Sequence, residues 1–193
     1  MKWKENISRF VLRRYKDNQR ERQGCNLRNA ESVGLIYLER DHGFYRTIKD
    51  VAKHLHEELG VKTVAILSYV ALDSKRTPGY LVKKLNSGYF CKSDLNWYGK
   101  PVKEINAFVE EEFDILFDLE LEPILPLKHI LKKSMARMKV GPEQKEWDSQ
   151  DYDVTICRIE HKPEEGEEEV DPMVVWQEQT ERTFKFISEV NIK

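Results

Sequence analysis

Between positions 92 and 101 the chain reads Lys-Ser-Asp-Leu-Asn-Trp-Tyr-Gly-Lys-Pro, its densest run of chemically capable side chains. Asp, Asn, Gly and Pro together specify a turn, because Asp and Asn bond nearby backbone and Gly relaxes φ. On such a turn Trp97 could stack a base or sugar ring while Lys92 or Lys100 pairs with a phosphate, and Asp94 and Asn96 complete a polar pocket. In the packing alternative, Trp97 plugs the loop against a sheet and Asp94 and Asn96 satisfy backbone N–H groups. The packing role is the expected one. Asp114 and Asp118 fall four apart in a strand-like segment, FDILFDL at 113–119. At strand rise their Cα atoms stand about 13 Å apart, too far for a general acid/base pair. Asp118, at the carboxyl end, is the better pocket candidate, and its alternative is a cap for the next helix or turn.

Other chemistry is weakly signalled. Ser134 has no GxSxG elbow and no matched histidine. His54 and His56 are two apart on a helical stretch, face different ways and cannot chelate one ion as an i,i+4 pair would. No metal and no cofactor is expected. The first apolar run is followed by Glu39-Arg40-Asp41-His42-Gly43-Phe44 rather than GxGxxG, so the glycine-lined pyrophosphate seat is missing. A P-loop is absent as well.

The elements that must position these residues alternate two periods. Val33–Leu38 and Val61–Tyr69 read as strands buried on both faces. Ile48, Val51, Ala52, Leu55 and Leu59 recur at helical spacing between them, closed by Gly60. Residues 70–86 read as a loop with at most a short helix, and Tyr89–Lys92 as a third strand. A helix from about Lys103 to Glu111 leads into the strand at 113–119. Pro126 suits the first turn of the next helix, which runs to about Met135. Short strands at Met138–Val140 and Tyr152–Ile159 follow. From Pro172, Val175, Gln179, Phe186 and Val190 share one helical face, with Trp176, Thr183 and Ile187 beside it. Strand–helix alternation implies right-handed crossovers and an α/β fold. The expectation is a three-layer α/β/α sandwich on a mostly parallel, Rossmann-like sheet of five or six strands, with ligands beyond its carboxyl ends.

Charge divides the chain differently. The first thirty residues carry nine Lys and Arg against three Asp and Glu; the rest carry 23 against 31. Trp3, Ile7, Phe10 and Val11 form the apolar stripe of an amphipathic helix over residues 3–22. Lys2, Lys4, Arg9, Arg13, Arg14, Lys16, Arg20 and Arg22 supply its cations. Residues 1–31 therefore read as a basic helix and linker, and 32–193 as the Rossmann-like domain. Clustered cations call for an anionic partner. RNA, most plausibly on the ribosome, is the first expectation, and an anionic membrane surface the second. The third is a small-molecule enzyme taking a phosphate or nucleotide sugar through Lys92, Asn96 and Asp118. A fourth is that the stripe packs on the acidic body and the charges match internally. A non-enzymatic binding role is expected over catalysis. Glu160–Asp171 holds seven carboxylates and one Lys and reads as a solvated acidic loop. No apolar run approaches a membrane span, and Arg13, Arg14 and Lys16 interrupt any signal-peptide core. With Cys25, Cys91 and Cys157 far apart and odd in number, a cytoplasmic location is expected.

At SVGLIYLE (32–39), KSDLNWYGKP (92–101), FDILFDL (113–119), LKHILKKSMARMKVG (127–141) and YDVTI (152–156), the chain resembles an uncharacterised bacterial family. Its members are short α/β proteins known only as a domain of unknown function. The resemblance spans essentially the whole chain, basic helix included, and the NW-G-KP and S-A-KVG blocks carry it. It implies the fold and the domain boundaries and brings no activity. The acidic segment at 160–171 is longer than that family's loop. The order FDILFDLE…SMARMKVG is also similar to the N-terminal half of heptosyltransferase-like GT-B glycosyltransferases. Those enzymes hold the nucleotide sugar with a second Rossmann-like domain, and the sequence ends where that domain would begin, so no transferase activity is expected in isolation.

Overall fold

Val33 to Tyr37 are all buried within β1 (Ser32–Glu39), because a strand apolar on both sides must lie between two covering layers. The computed structural model describes residues 2–15, 20–102, 105–144, 149–159 and 170–190. Side chains of β1 alternate between two cores. Val33, Leu35 and Tyr37 join one, and Ile36 the other.

α2 (His42–Glu57) starts where the Asp41 carboxylate accepts the Phe44 N–H at 2.9 Å. It buries Phe44, Ile48 and Leu55 in the first core, each worth about 1.5–3 kcal/mol. The chain then turns at Gly60, whose φ of 74° favours glycine, into β2 (Thr63–Val70). β3 (Ser87–Cys91) follows after a segment whose only helical turn is 3-10, Ser74–Arg76. Beyond it come α3 (Asn106–Glu110), β4 (Ile115–Asp118), α4 (Leu125–Lys133), β5 (Met138–Pro142), β6 (Val154–Ile156) and α5 (Pro172–Glu189).

The six strands are all parallel, in the order β3-β2-β1-β4-β5-β6. This is the order of doubly wound dinucleotide folds, with its switch point between β1 and β4. α2 and α5 cover one face through Phe44, Ile48, Trp176, Phe184 and Ile187. α3 and α4 cover the other through Val109, Leu127, Ile130 and Leu131. The three-layer, Rossmann-like α/β sandwich expected from the sequence is the observed fold.

α1 (Lys2–Arg14) lies outside these layers, packed on α4. It stops at Arg14, short of the expected end at residue 22; positions 16–19 lie outside the described residues. The expected helix over 103–111 is described only as the five residues of α3, since 103–104 are also outside. Strand β6 is three residues rather than eight, because Tyr152 turns inward before it. On α5, Phe186 is 45% exposed, while Trp176, Gln179, Thr180, Thr183, Phe184 and Ile187 make the buried face. Of the face read at Val175, Gln179, Phe186 and Val190, only Gln179 is buried, and the covered side is centred on the neighbouring Trp176, Thr183 and Ile187. No helix among the described residues is long and apolar enough to cross a membrane.

Candidate functional site

The loop at 92–101 is a closed turn. Asp94 Oδ2 accepts the Cys91 N–H at 2.8 Å, and Asn96 Oδ1 accepts those of Tyr98 and Lys100 at 3.2 and 2.9 Å. Gly99, at φ 94°, allows its own N–H to reach the Asn96 carbonyl at 3.1 Å. Asp94 and Asn96 thus do the packing work expected of them. Trp97 does not plug the loop against the sheet. It stands 57% exposed, with its ring 5.8 Å from that of Trp3 on α1. Tyr98 lies edge-on beneath it, 5.1 Å away. Lys92 is exposed, and the Lys100 ammonium lies 6.0 Å from the Tyr15 ring.

α1 meets α4 through side chains that the apolar stripe does not contain. Ser8 Oγ and His129 Nε2 are 2.9 Å apart, both buried, and Leu12 is 1% exposed. Ile7 and Val11 are half-buried beside them, whereas Trp3 and Phe10 are 56% and 53% exposed. The stripe expected to close on one surface is split, because the helix turns its Ser8–Leu12 edge to the polar His129. Lys4 and Arg14 lie over the Trp3 and Phe10 rings at 5.8 and 4.3 Å. Burial, then the charges of Lys100 and Lys133, push the His129 imidazole down to about 4. It is therefore neutral at pH 7, and its buried Nδ1 finds no partner among the described residues.

The cations of the arm fall into different environments. Lys4, Arg13 and Arg14 are exposed, and among the described residues none is paired with a carboxylate. Arg9 is half-buried and Arg22 exposed, 3.9 Å from Asp153. Lys16 and the Lys2 side chain lie outside the described residues. Arg20 does not belong to an exposed surface. Its guanidinium bonds both Asp153 oxygens at 2.7 and 2.8 Å and the carbonyls of Ala136 and Arg137 at 3.0 and 2.9 Å. It ties the extended segment after α1 to the body.

Asp118 is likewise out of reach of a ligand. It is 2% exposed and accepts from Lys128 Nζ at 2.8 Å and Tyr152 OH at 2.7 Å. Lys128 and Tyr152 also bond each other. Its second oxygen accepts the Glu120 N–H at 3.1 Å, so the expectation of a turn cap holds in part. Burial first, then the Asp118 charge, raise the Tyr152 phenol well above its ordinary value. Lys128 and Tyr152 escaped the sequence reading, although a lysine between Leu127 and Ile130 on an apolar helical face was the signal. Breaking one member of such a buried set costs about 3–5 kcal/mol, since the others are left charged and alone.

At the switch point, a cavity of about 510 Å³ is lined by Leu38, Arg40, Phe44, Glu120, Met173 and Trp176, among others. Arg40 lies 4.5 Å from the Phe44 ring and pairs with Glu120 at 2.7 Å, while Glu120 also accepts the Leu38 N–H. Burial raises the Glu120 carboxyl, and Arg40 opposes the rise. With Asp41 capping α2, carboxylates occupy the helix end where a pyrophosphate would sit. Negative charge at that helix end opposes a pyrophosphate rather than seating one. The possible pocket residues do not converge: Asp118 is buried in the core, whereas Lys92 and Trp97 face outward and Lys100 lies beside Tyr15. Among the described residues no group of three His, Cys, Asp or Glu could hold a metal ion.

Comparison adds a family and no activity. A family of unknown function (DUF6913) matches residues 4–171, from the start of α1 to the last residue before α5. No curated protein matches, and no solved structure does. The matched span takes in α1, the 92–101 loop and all six strands, so the chain belongs to this family of unknown function, DUF6913.

Proposed function

We propose that the protein binds single-stranded RNA, free or exposed on a ribonucleoprotein such as the ribosome, on the surface shared by α1 and the 92–101 loop. One observation carries this: Trp3 and Trp97, from elements far apart in sequence, stand exposed together, with the Lys4 ammonium 5.8 Å from the Trp3 ring. Bases stack on such rings with little sequence preference, at about 1–3 kcal/mol each, while Lys and Arg meet the phosphates. Lys4, Arg13 and Arg14 are free to do so, and Phe10 offers a further ring. A lipid surface is the weaker reading for this helix. Interfacial helices sink a broad apolar face, but Leu12, Ile7 and Val11 turn toward α4 and leave only Trp3 and Phe10 outward.

The test is titration of a labelled 20-nucleotide oligouridylate, with flotation on anionic vesicles in parallel. Trp3→Ala with Trp97→Ala should weaken RNA binding about tenfold or more. Reversal of Arg13 and Arg14 to Glu should lower the salt dependence as phosphate contacts are lost. No oligouridylate binding at low salt, or binding indifferent to both variants, removes this function. Flotation abolished by the same variants would put lipid in its place.

A further inference from the structure

Residues 71–92, which join β2 to β3 and run just past it, carry Lys75, Arg76, Lys83, Lys84 and Lys92 against one carboxylate, Asp73. All five cations are exposed. They sit within a remainder of the chain where acids outnumber bases, so this concentration is local and opposite in sign to its surroundings. α2 adds Lys49, whose Nζ lies 3.4 Å from Ser87 Oγ and 5.5 Å from the Tyr45 ring. Burial, and next the charge of Lys84, lower the Lys49 ammonium below its ordinary value. Among the described residues, none of Lys49, Lys75, Arg76, Lys84 and Lys92 is in an ion pair with a carboxylate.

Lysines beside an outer strand also serve to block edge pairing. That role does not account for this set. β3 itself, Ser-Gly-Tyr-Phe-Cys, holds no charge, and Lys49 comes from a helix. Two elements therefore bring Lys49 and Lys84 close enough for their charges to oppose each other, in a segment whose cations outnumber its carboxylate five to one, an arrangement that an anion stabilises. The cluster is also tied to the 92–101 loop. The Lys92 N–H donates to the Leu72 carbonyl at 3.0 Å, and the Ser74 N–H to Ser93 Oγ at 3.3 Å. From Ser93 the same loop runs to Trp97 and Lys100.

We infer that Lys49, Lys75, Arg76, Lys84 and Lys92 form a second phosphate-contacting surface, along which a single-stranded RNA continues beyond the α1 platform. This rests on the RNA reading for the identity of the polymer, and on its own cations for the site. The segment offers exposed Leu72, Val82 and Leu85 rather than rings, so it contributes backbone contacts and no stacking.

The experiment uses the full chain and the 20-nucleotide oligouridylate at several salt concentrations. A Lys49→Gln, Lys75→Gln, Arg76→Gln, Lys84→Gln variant should bind about tenfold or more weakly at 0.1 M salt. Its slope of log affinity against log salt should flatten by about 2–3, at about 0.7 per lost phosphate contact. A thermal unfolding midpoint at or above the wild-type value confirms that the variant is folded. Wild-type affinity and slope in that variant overturn the inference. Loss of affinity with unchanged slope on Trp3→Ala and Trp97→Ala belongs to the platform alone. If those two changes do nothing while the glutamine variant still loses binding, the platform fails and this surface stands. Absence of oligouridylate binding by the wild type overturns it, as does capture by anionic vesicles that Leu85→Asp abolishes.

Discussion

His129 faces Ser8 across the α1–α4 contact, with Lys100 and Lys133 raising the cost of its protonation and the Tyr98 ring 6.1 Å away. Its folded-state value of about 4 lies below the ordinary imidazole value of 6.5. An unfolded chain therefore takes up the proton first as pH falls, and stability drops between about pH 6.5 and 4. The stability is present above the upper value and lost toward the lower. Wild-type protein should lose about 2 kcal/mol more than His129→Gln between pH 7 and pH 5, measured by urea unfolding. Glu39 and Glu120, raised mainly by burial, work the other way, favouring the fold as pH falls. They are common to both proteins and cancel in the difference. Equal pH slopes for the two would show that the imidazole is not held neutral by the arm. Little of this was visible beforehand. A histidine at position 129 gives no sign of which residue it meets, because Ser8 lies far away in sequence.

Gly141 in β5 shows how tightly the sheet closes over Tyr152. A Cβ built there would overlap the Tyr152 ring. Gly141→Ala should therefore push the ring off Asp118 and Lys128 and cost about 1–3 kcal/mol. The urea midpoint checks this, and an unchanged midpoint would mean the ring lies elsewhere. The Gly141-Pro142 pair was legible as a strand end, but the reason for glycine lay in a partner that sequence spacing does not reveal. The same division runs through the molecule. β1, β2 and β4 were readable because their apolar runs are continuous, and α4 because Pro126 marks its first turn. α1 and α5 were readable as helices while their faces were misplaced. Periodicity locates apolar residues on a helix, and only the opposing surface decides which of them are covered. The turn in 92–101 was legible in its Asp, Asn and Gly, whereas the meeting of Trp97 with Trp3 depends on how α1 docks. The cations of 71–92 are countable in the sequence, but a net charge summed over the acidic body hides them.

Strand order turns the charge asymmetry into a direction. β3, with its cationic segment, and β6, which leads at Ile159 into the acidic residues 160–171, are the two outer strands. Five strand spacings separate them, about 24 Å. The described residues that flank it, Arg158 and Asp171, line the switch-point cavity with Leu38 and Arg40, and the charge of the segment acts at a distance on the β3 surface most strongly when salt is low. The screening length is about 30 Å at 0.01 M salt and about 8 Å at 0.15 M. Replacing Glu164, Glu165, Glu167, Glu168 and Glu169 with Gln should therefore strengthen oligouridylate binding several-fold at 0.01 M salt and leave it unchanged at 0.15 M. The gain should appear mainly in the association rate, where long-range fields act. An increase that persists at 0.15 M would instead mean that the segment touches the RNA surface directly, as a competitor for its cations. No increase at either salt would mean that the acidic and basic edges act independently, and that the opposition of charge across the sheet has no bearing on binding.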